Sequence, residues 1–298
     1  MVDKKLWAKE QEIEFFTKSL DLASPEQLFY TTKDKRYYAY WPKNYRGAKT
    51  TLQSRNAFIG AYTEKWALDV LKELAKELNS HAVRGVVCEK LELTKSSPAD
   101  VAICKTDAVI QKPQDIIAIF EVKMSVVWNW ELLRSNSGFS LKCLGDFNTH
   151  QGNPGLLRSD SMLKAIGKSI TVRISSSESA KIPIIVLGNT PVTRSYYTKV
   201  DNLRNYGLIQ GFWSLNPAPL DNNKENIKAT KGDGFLRFDT YSDFKTRLLA
   251  LLKEDRMFFA GMKSKNELGK LIEIANKQET YEKKAEKFLG LMRETNGR

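Results

Sequence analysis

Histidine is nearly missing from this chain of 298 residues, which holds only His81 and His150. Two imidazoles exclude hydrolytic sites built on several histidines, and no His-Glu-x-x-His string is present to hold a catalytic zinc ion. Cysteine is almost as scarce. Cys88, Cys104 and Cys143 are odd in number and lack Cys-x-x-Cys spacing, which argues against a disulfide framework and a structural zinc site and leaves buried thiols as the expectation. Long apolar runs are absent: a stretch such as Ile116 to Phe120 is far too short to span a bilayer. The opening Met1-Val2-Asp3-Lys4-Lys5 leads into a charged amphipathic stretch instead of an apolar signal region, so a cytoplasmic location with no membrane partner is expected. Acidic residues are also in deficit, 35 against 47 Lys and Arg, for a formal net charge of +12. That excess favours a polyanionic partner, nucleic acid first. Any hydrolysis must then rest on carboxylates, lysines and a hard metal.

What is present, at 42% hydrophobic content, suffices for a substantial core. Residues 8 to 20 read as a short amphipathic helix. Lys33 to Arg55 then alternates cations with aromatics (Arg36, Tyr37, Tyr38, Tyr40, Trp41, Lys43, Tyr45). Such a stretch suits either a nucleic-acid backbone or a loop packed on its own domain. From Asn56 to Leu78, apolar residues at Ile59, Trp66, Val70, Leu71, Leu74 and Leu78 recur at helical spacing. Strands are expected over Val83 to Leu93 and from Asp100 to Lys105. After the Lys112-Pro113-Gln114 turn, Ile116 to Lys123 is apolar on both faces and predicts a central buried strand. The Ser-, Gly- and Asn-rich stretch 129–158 reads as a long irregular connection. Ser159-Asp160-Ser161 predicts the cap of a helix through Met162, Leu163, Ile166 and Ile170, with Lys164 and Lys168 on its polar side. Ile182 to Gly188 is a further strand. The order is helix, three strands, helix, strand: an α/β core over 56–189, preceded by an extension over 1–55 and followed by a recognition segment and charged helical tail over 190–298.

One constellation in this core carries chemistry. Side chains alternate along a strand, so Glu121 and Lys123 share a face that is apolar earlier in the strand. If Asp100 and Glu121 lie on the two arms of a hairpin, its midpoint falls beside the turn before Lys112-Pro113, and the two carboxylates stand side by side with Lys123. Like charges so placed repel unless a divalent cation neutralises them. Mg²⁺ is the natural occupant, with Mn²⁺ able to substitute, and Lys123 is placed to orient or deprotonate a water while countering phosphate charge.

Ser97-Pro98-Ala99-Asp100 followed by Phe120-Glu121-Val122-Lys123 resembles the PD-(D/E)xK nuclease superfamily, which includes type II restriction endonucleases. Here Ala99 separates the proline from the aspartate, a departure that spares the acid itself. The resemblance implies a restriction-endonuclease-like core with a mixed central sheet and helical N- and C-terminal additions, that Asp100 and Glu121 bind Mg²⁺, that the Val122 carbonyl is a further ligand, and that Lys123 assists the attacking water. It also implies an acidic residue on the first core helix, for which Glu64 is the candidate, as a catalytic residue and metal ligand; Gly60, Glu64, Ala67 and Leu71 fall along one helix face. The expected function is Mg²⁺-dependent, sequence-specific cleavage of double-stranded DNA by a homodimer. A structure-specific nuclease of the Holliday junction resolvase kind and a non-catalytic DNA-binding protein are the alternatives. Lys164 and Lys168 are candidates for phosphate contacts, and Arg194, Asn202, Arg204 and Asn205 for contacts to DNA from the segment beyond the core.

Overall fold

The computed structural model describes residues 6–135, 138–220, 226–253 and 263–294. In chain order its elements are α1 (Lys9–Leu20), α2 (Pro25–Leu28), β1 (Tyr30–Thr31), β2 (Tyr37–Tyr38), α3 (Gln53–Glu77), β3 (His81–Val86), β4 (Ala99–Cys104), β5 (Ile116–Val122), β6 (Asn129–Ser135), β7 (Gly138–Gly145), α4 (Ser159–Ser175), β8 (Ile184–Gly188), α5 (Tyr197–Asn205), β9 (Gly211–Ser214), β10 (Phe235–Arg237), α6 (Tyr241–Lys253), α7 (Lys265–Ala275) and α8 (Tyr281–Glu294). Two sheets result. The larger runs β10-β9-β8-β5-β4-β3; β3, β4 and β5 are antiparallel neighbours, whereas β5, β8, β9 and β10 are parallel. The molecule is therefore mixed α/β, with helices over a mixed six-stranded sheet.

Period-2 alternation sorts the side chains of this sheet onto two faces. Val101, Ile103, Ala118, Phe120, Ile185 and Leu187 enter one core with Ala67, Val70, Leu71 and Leu74 of α3 and Phe244 and Leu248 of α6. Ala102, Cys104, Ile119 and Ile184 join Val172 of α4 on the opposite face. Further along that face Val186 and Phe212 meet Met162 and Ala165 of α4 and Val200 of α5. Each fully buried Leu or Phe contributes roughly 1.5–3 kcal/mol relative to exposure.

Several expectations need correction. The stretch 129–158 is not one long irregular connection, because β6 and β7 form a hairpin that joins β1 and β2 in a second sheet, ordered β1-β2-β6-β7. Trp130 and Leu132 opposite Cys143 and Leu141 supply the alternating apolar face, a hairpin signal hidden by the polar residues between them. The N-terminal segment is no appendage: Trp7, Phe15 and Phe16 are buried in the same core as α3, and the Trp7 N–H donates to Leu215 O at 2.8 Å. The sheet does not end near Asn189 either, since the segment beyond it supplies β9 and β10. Part of the charged tail is core as well, with Phe244, Leu248 and Leu251 of α6 buried. The strand expected over 83–93 is β3 only to Val86, after which Leu91 and Leu93 are buried from an irregular segment. Among the described residues no helix is long and apolar enough to cross a membrane.

Candidate active site

The register of β4 against β5 pairs Val101 with Phe120 and Ala102 with Ile119. Continued by one residue, it sets Asp100 opposite Glu121, on the face that α4 covers. This is the C-terminal end of β5 in the parallel half of the sheet, where open α/β sheets present their functional groups. Asp100 Oδ2 accepts the Val122 N–H at 2.7 Å, which fixes one carboxylate to the backbone beside the other. Lys123 follows β5 directly, its own N–H donating to Leu187 O at 2.7 Å. Its Nζ lies 2.6 Å from Glu121 Oε1, 3.5 Å from Asp100 Oδ2 and 3.2 Å from the Val122 carbonyl oxygen.

A second ammonium completes the cluster. Lys168 reaches in from α4, its Nζ 2.7 Å from Glu121 Oε2 and 3.1 Å from Asp100 Oδ1. Two carboxylates are thus bridged by two lysines. The expectation that Lys168 lies on the polar side of its helix beside Lys164 is corrected: Lys164 is exposed and pairs with Asp160 at 3.2 Å, whereas Lys168 is largely buried against the sheet. Its neighbours gave the signal. Ala165, Ser169 and Val172 are the buried positions of α4 around it, so Lys168 interrupts the inward stripe at i+3 from Ala165 and i−4 from Val172, while Leu163 points outward. The helix also starts differently from expectation, because Arg158 occupies the cap position and no side chain caps it.

Burial, and then the charge of Asp100, push the Glu121 carboxyl above its usual range, against the opposing pull of Lys123 and Lys168. Burial pulls the Lys168 ammonium down, but Glu121 and Asp100 together carry it above its ordinary value. The four groups therefore hold one another's charges in a site that is mostly out of water, where unpaired charge is costly.

Glu64 is near enough to this cluster to feel the charges of Asp100, Lys123 and Lys168. It is on α3, across the sheet from the face that carries Asp100 and Glu121, and it pairs with Arg84 Nε at 3.3 Å. Its carboxyl is raised by burial and then by the charge of Asp100, and it lines a cleft of about 540 Å³ together with Val122 and Lys123. Of the remaining candidates, Arg194, Asn202 and Asn205 are exposed, and Arg204 donates to Gln210 O at 2.9 Å. The structure does not bring these four to the carboxylates.

The cationic and aromatic stretch folds onto itself. Tyr45, Trp41 and Tyr30 stack in succession, and Tyr40 stacks on His150. Arg36 covers Tyr38 and Arg134 covers Tyr37. Of its two readings, packing against the protein accounts for these ring faces.

Among the described residues no three or more of His, Cys, Asp and Glu gather as a metal-holding group. Asp100, Glu121 and the Val122 carbonyl nevertheless form an oxygen-only set that already attracts two cations, and that donor chemistry fits a hard divalent ion. Comparison with protein-family models, curated proteins and solved structures finds no match to this chain.

Proposed function

We propose that the protein is a metal-dependent endonuclease of the PD-(D/E)xK type, in its specific form a type II restriction endonuclease that cuts double-stranded DNA as a homodimer. The observation that carries the reading is the juxtaposition of Asp100 and Glu121 with Lys123 between them at the end of β5. The order α3, β3, β4, β5, α4, β8 supports it, with the β6–β7 hairpin inserted before α4, as does the net charge of +12.

In this reading Asp100, Glu121 and the Val122 carbonyl hold Mg²⁺. The bound ion supplies Lewis-acid stabilisation of the phosphate and activates water. Lys123 Nζ, fixed by Glu121, orients the attacking water and offsets charge gathering on the phosphate. Lys168 holds the two carboxylates together from the α4 side. Their burial keeps bulk water from screening these interactions.

Asp100→Ala and Glu121→Ala should each lower cleavage by several orders of magnitude while far-ultraviolet circular dichroism stays unchanged. EDTA should stop the wild-type reaction, and Mn²⁺ should restore it. With linear plasmid or phage DNA the expected product is a small set of discrete bands whose ends share one short sequence, because several base-edge contacts at roughly 1–3 kcal/mol each confine cutting to one site. Near wild-type cleavage by either variant removes the proposed site. A smear points to a non-specific nuclease, and intact duplex beside cleaved four-way junctions to a structure-specific one. Binding with no cleavage of any DNA leaves a non-catalytic DNA-binding protein.

A further inference from the structure

Arg55, near the start of α3, is 5% exposed. Its guanidinium lies between two rings, 5.0 Å from the centroid of Tyr30 and 5.1 Å from that of Tyr40. Beyond Tyr30 come Trp41 and Tyr45, and beyond Tyr40 comes His150, so six planar groups form one column with the cation inside it. Stacking of this kind steadies a guanidinium while leaving its edge free for hydrogen bonds.

That edge is under-used. Arg55 Nη1 donates to the Ala39 carbonyl, and no carboxylate stands within ion-pair distance among the described residues. The contrast with Arg173 is instructive. Arg173, equally buried, donates to the carbonyls of Ser179, Ile182 and Leu208 and to Gln210 Oε1, an arrangement that satisfies a purely structural arginine. Burying a guanidinium with one carbonyl acceptor and no counter-charge is costly unless an anion completes it. None of the nitrogens of Arg55 is sealed away without a partner, and Arg55 lines the 540 Å³ cleft that Lys123 also lines.

The rest of the cleft has matching chemistry. Arg158, Ser159 and Ser161 line it from the first turn of α4, a helix of 17 residues whose N-terminal N–H groups no side chain caps; such an end attracts anions. Asp160, the acid of that turn, pairs with Arg158 and Lys164 and is not part of the lining. Glu64, the one acidic residue of the lining, is engaged by Arg84. Charge recognition fits this cleft better than base stacking, because neighbouring groups already cover the ring faces of Tyr30 and Tyr40.

We infer that Arg55, with the N-terminal turn of α4, forms a phosphate-binding subsite beside Lys123. For the source of the phosphate, a nucleic-acid backbone, the inference rests on the nuclease reading; the demand for an anion does not.

The test is binding without cleavage, in EDTA, by fluorescence anisotropy of a labelled duplex with wild type, Arg55→Lys and Arg55→Met. Loss of one charge-assisted phosphate contact should weaken binding roughly ten- to a hundredfold in the Met variant and lower the slope of log affinity against log salt by about one. A scan with single neutral methylphosphonates should show one position per half-site that weakens wild type but not Arg55→Met. Arg55→Lys retains the charge and makes the scan readable should the Met variant fail to fold. Inorganic phosphate and a mononucleotide form the second arm, read by thermal shift. Stabilisation of wild type but not of Arg55→Met by these, with no sensitive position in the duplex, keeps the anion subsite and assigns it to a small phosphate ligand. An unchanged salt slope and scan, with no phosphate-dependent shift in any variant, overturns the subsite and leaves Arg55 structural. Because no divalent ion is present, either outcome is independent of whether Asp100 and Glu121 cleave DNA.

Discussion

Lys168 and Lys123 approach the same pair of carboxylates from two elements, and their distances from Glu121 are 2.7 Å and 2.6 Å. A cation arriving from solution competes with them for the same oxygens. Lys168→Met should therefore bind Mn²⁺ on the order of tenfold more tightly by titration calorimetry, since removing one neighbouring ammonium is worth about 1.4 kcal/mol or more at such distances, while turnover falls. Equal Mn²⁺ affinity in the two proteins would show that Lys168 does not compete. Glu12 is a different kind of buried acid, accepting N–H groups from Val127 (2.6 Å), Trp128 (3.2 Å), Trp130 Nε1 (2.8 Å) and Trp7 Nε1 (3.3 Å). It ties α1 to the segment that follows Lys123. Burial pushes its carboxyl up from 4.5 to about 8, against those four donors. Its folded value lies above the unfolded one, so folding takes up a proton; the contribution is fully present below pH 4.5 and is lost as pH rises through about 8. Denaturation midpoints at pH 5, 6.5 and 8 should fall with pH in the wild type more steeply than in Glu12→Gln. Parallel curves would show that Glu12 does not titrate in this window.

Among the elements, helix α3 and strands β4, β5 and β8 were readable from periodicity alone, because each presents an apolar face or a wholly apolar run of the right length. The β6–β7 hairpin was not. Its arms mix Trp130 and Leu132 with Glu131 and Arg134, and Glu131 is buried through its ion pair with Arg36, 2.6 Å away. Only a partner ninety-five residues away in the chain makes that position legible. Helix α5 shows the same dependence on distant contacts. Asp201 accepts the Thr230 hydroxyl and the N–H groups of Gly232 and Gly234, and a Cβ on Gly234 would meet the backbone of Val200 and Asp201 well inside contact distance. Gly234→Ala should consequently push α5 off the sheet and cost about 1–3 kcal/mol, read as a lower thermal midpoint; an unchanged midpoint would show that the loop yields freely.

At the scale of the molecule, the α/β class and the adjacency of Asp100 to Glu121 were determined by the sequence by itself. These follow from local rules: alternation along a strand, helical spacing, and a hairpin whose midpoint between Asp100 and Glu121 falls beside the turn before Lys112-Pro113. Lys168 and Arg55 belong to the tertiary structure. A lysine in an apolar helical stripe has no visible partner until the helix is laid on the sheet, and the packing of α4 over β4 and β5 is what aims it at the carboxylates. Arg55 reads in sequence as one more cation in a basic and aromatic stretch. Only the tertiary structure, with Tyr30 and Tyr40 from 25 and 15 residues earlier in the chain packed on it, shows it buried with no carboxylate within ion-pair distance among the described residues. The fate of residues 190–253 was likewise decided in three dimensions: short strands such as Phe235–Arg237 have too few residues to announce a period, and they become strands because the edge of a sheet offers backbone groups to pair with.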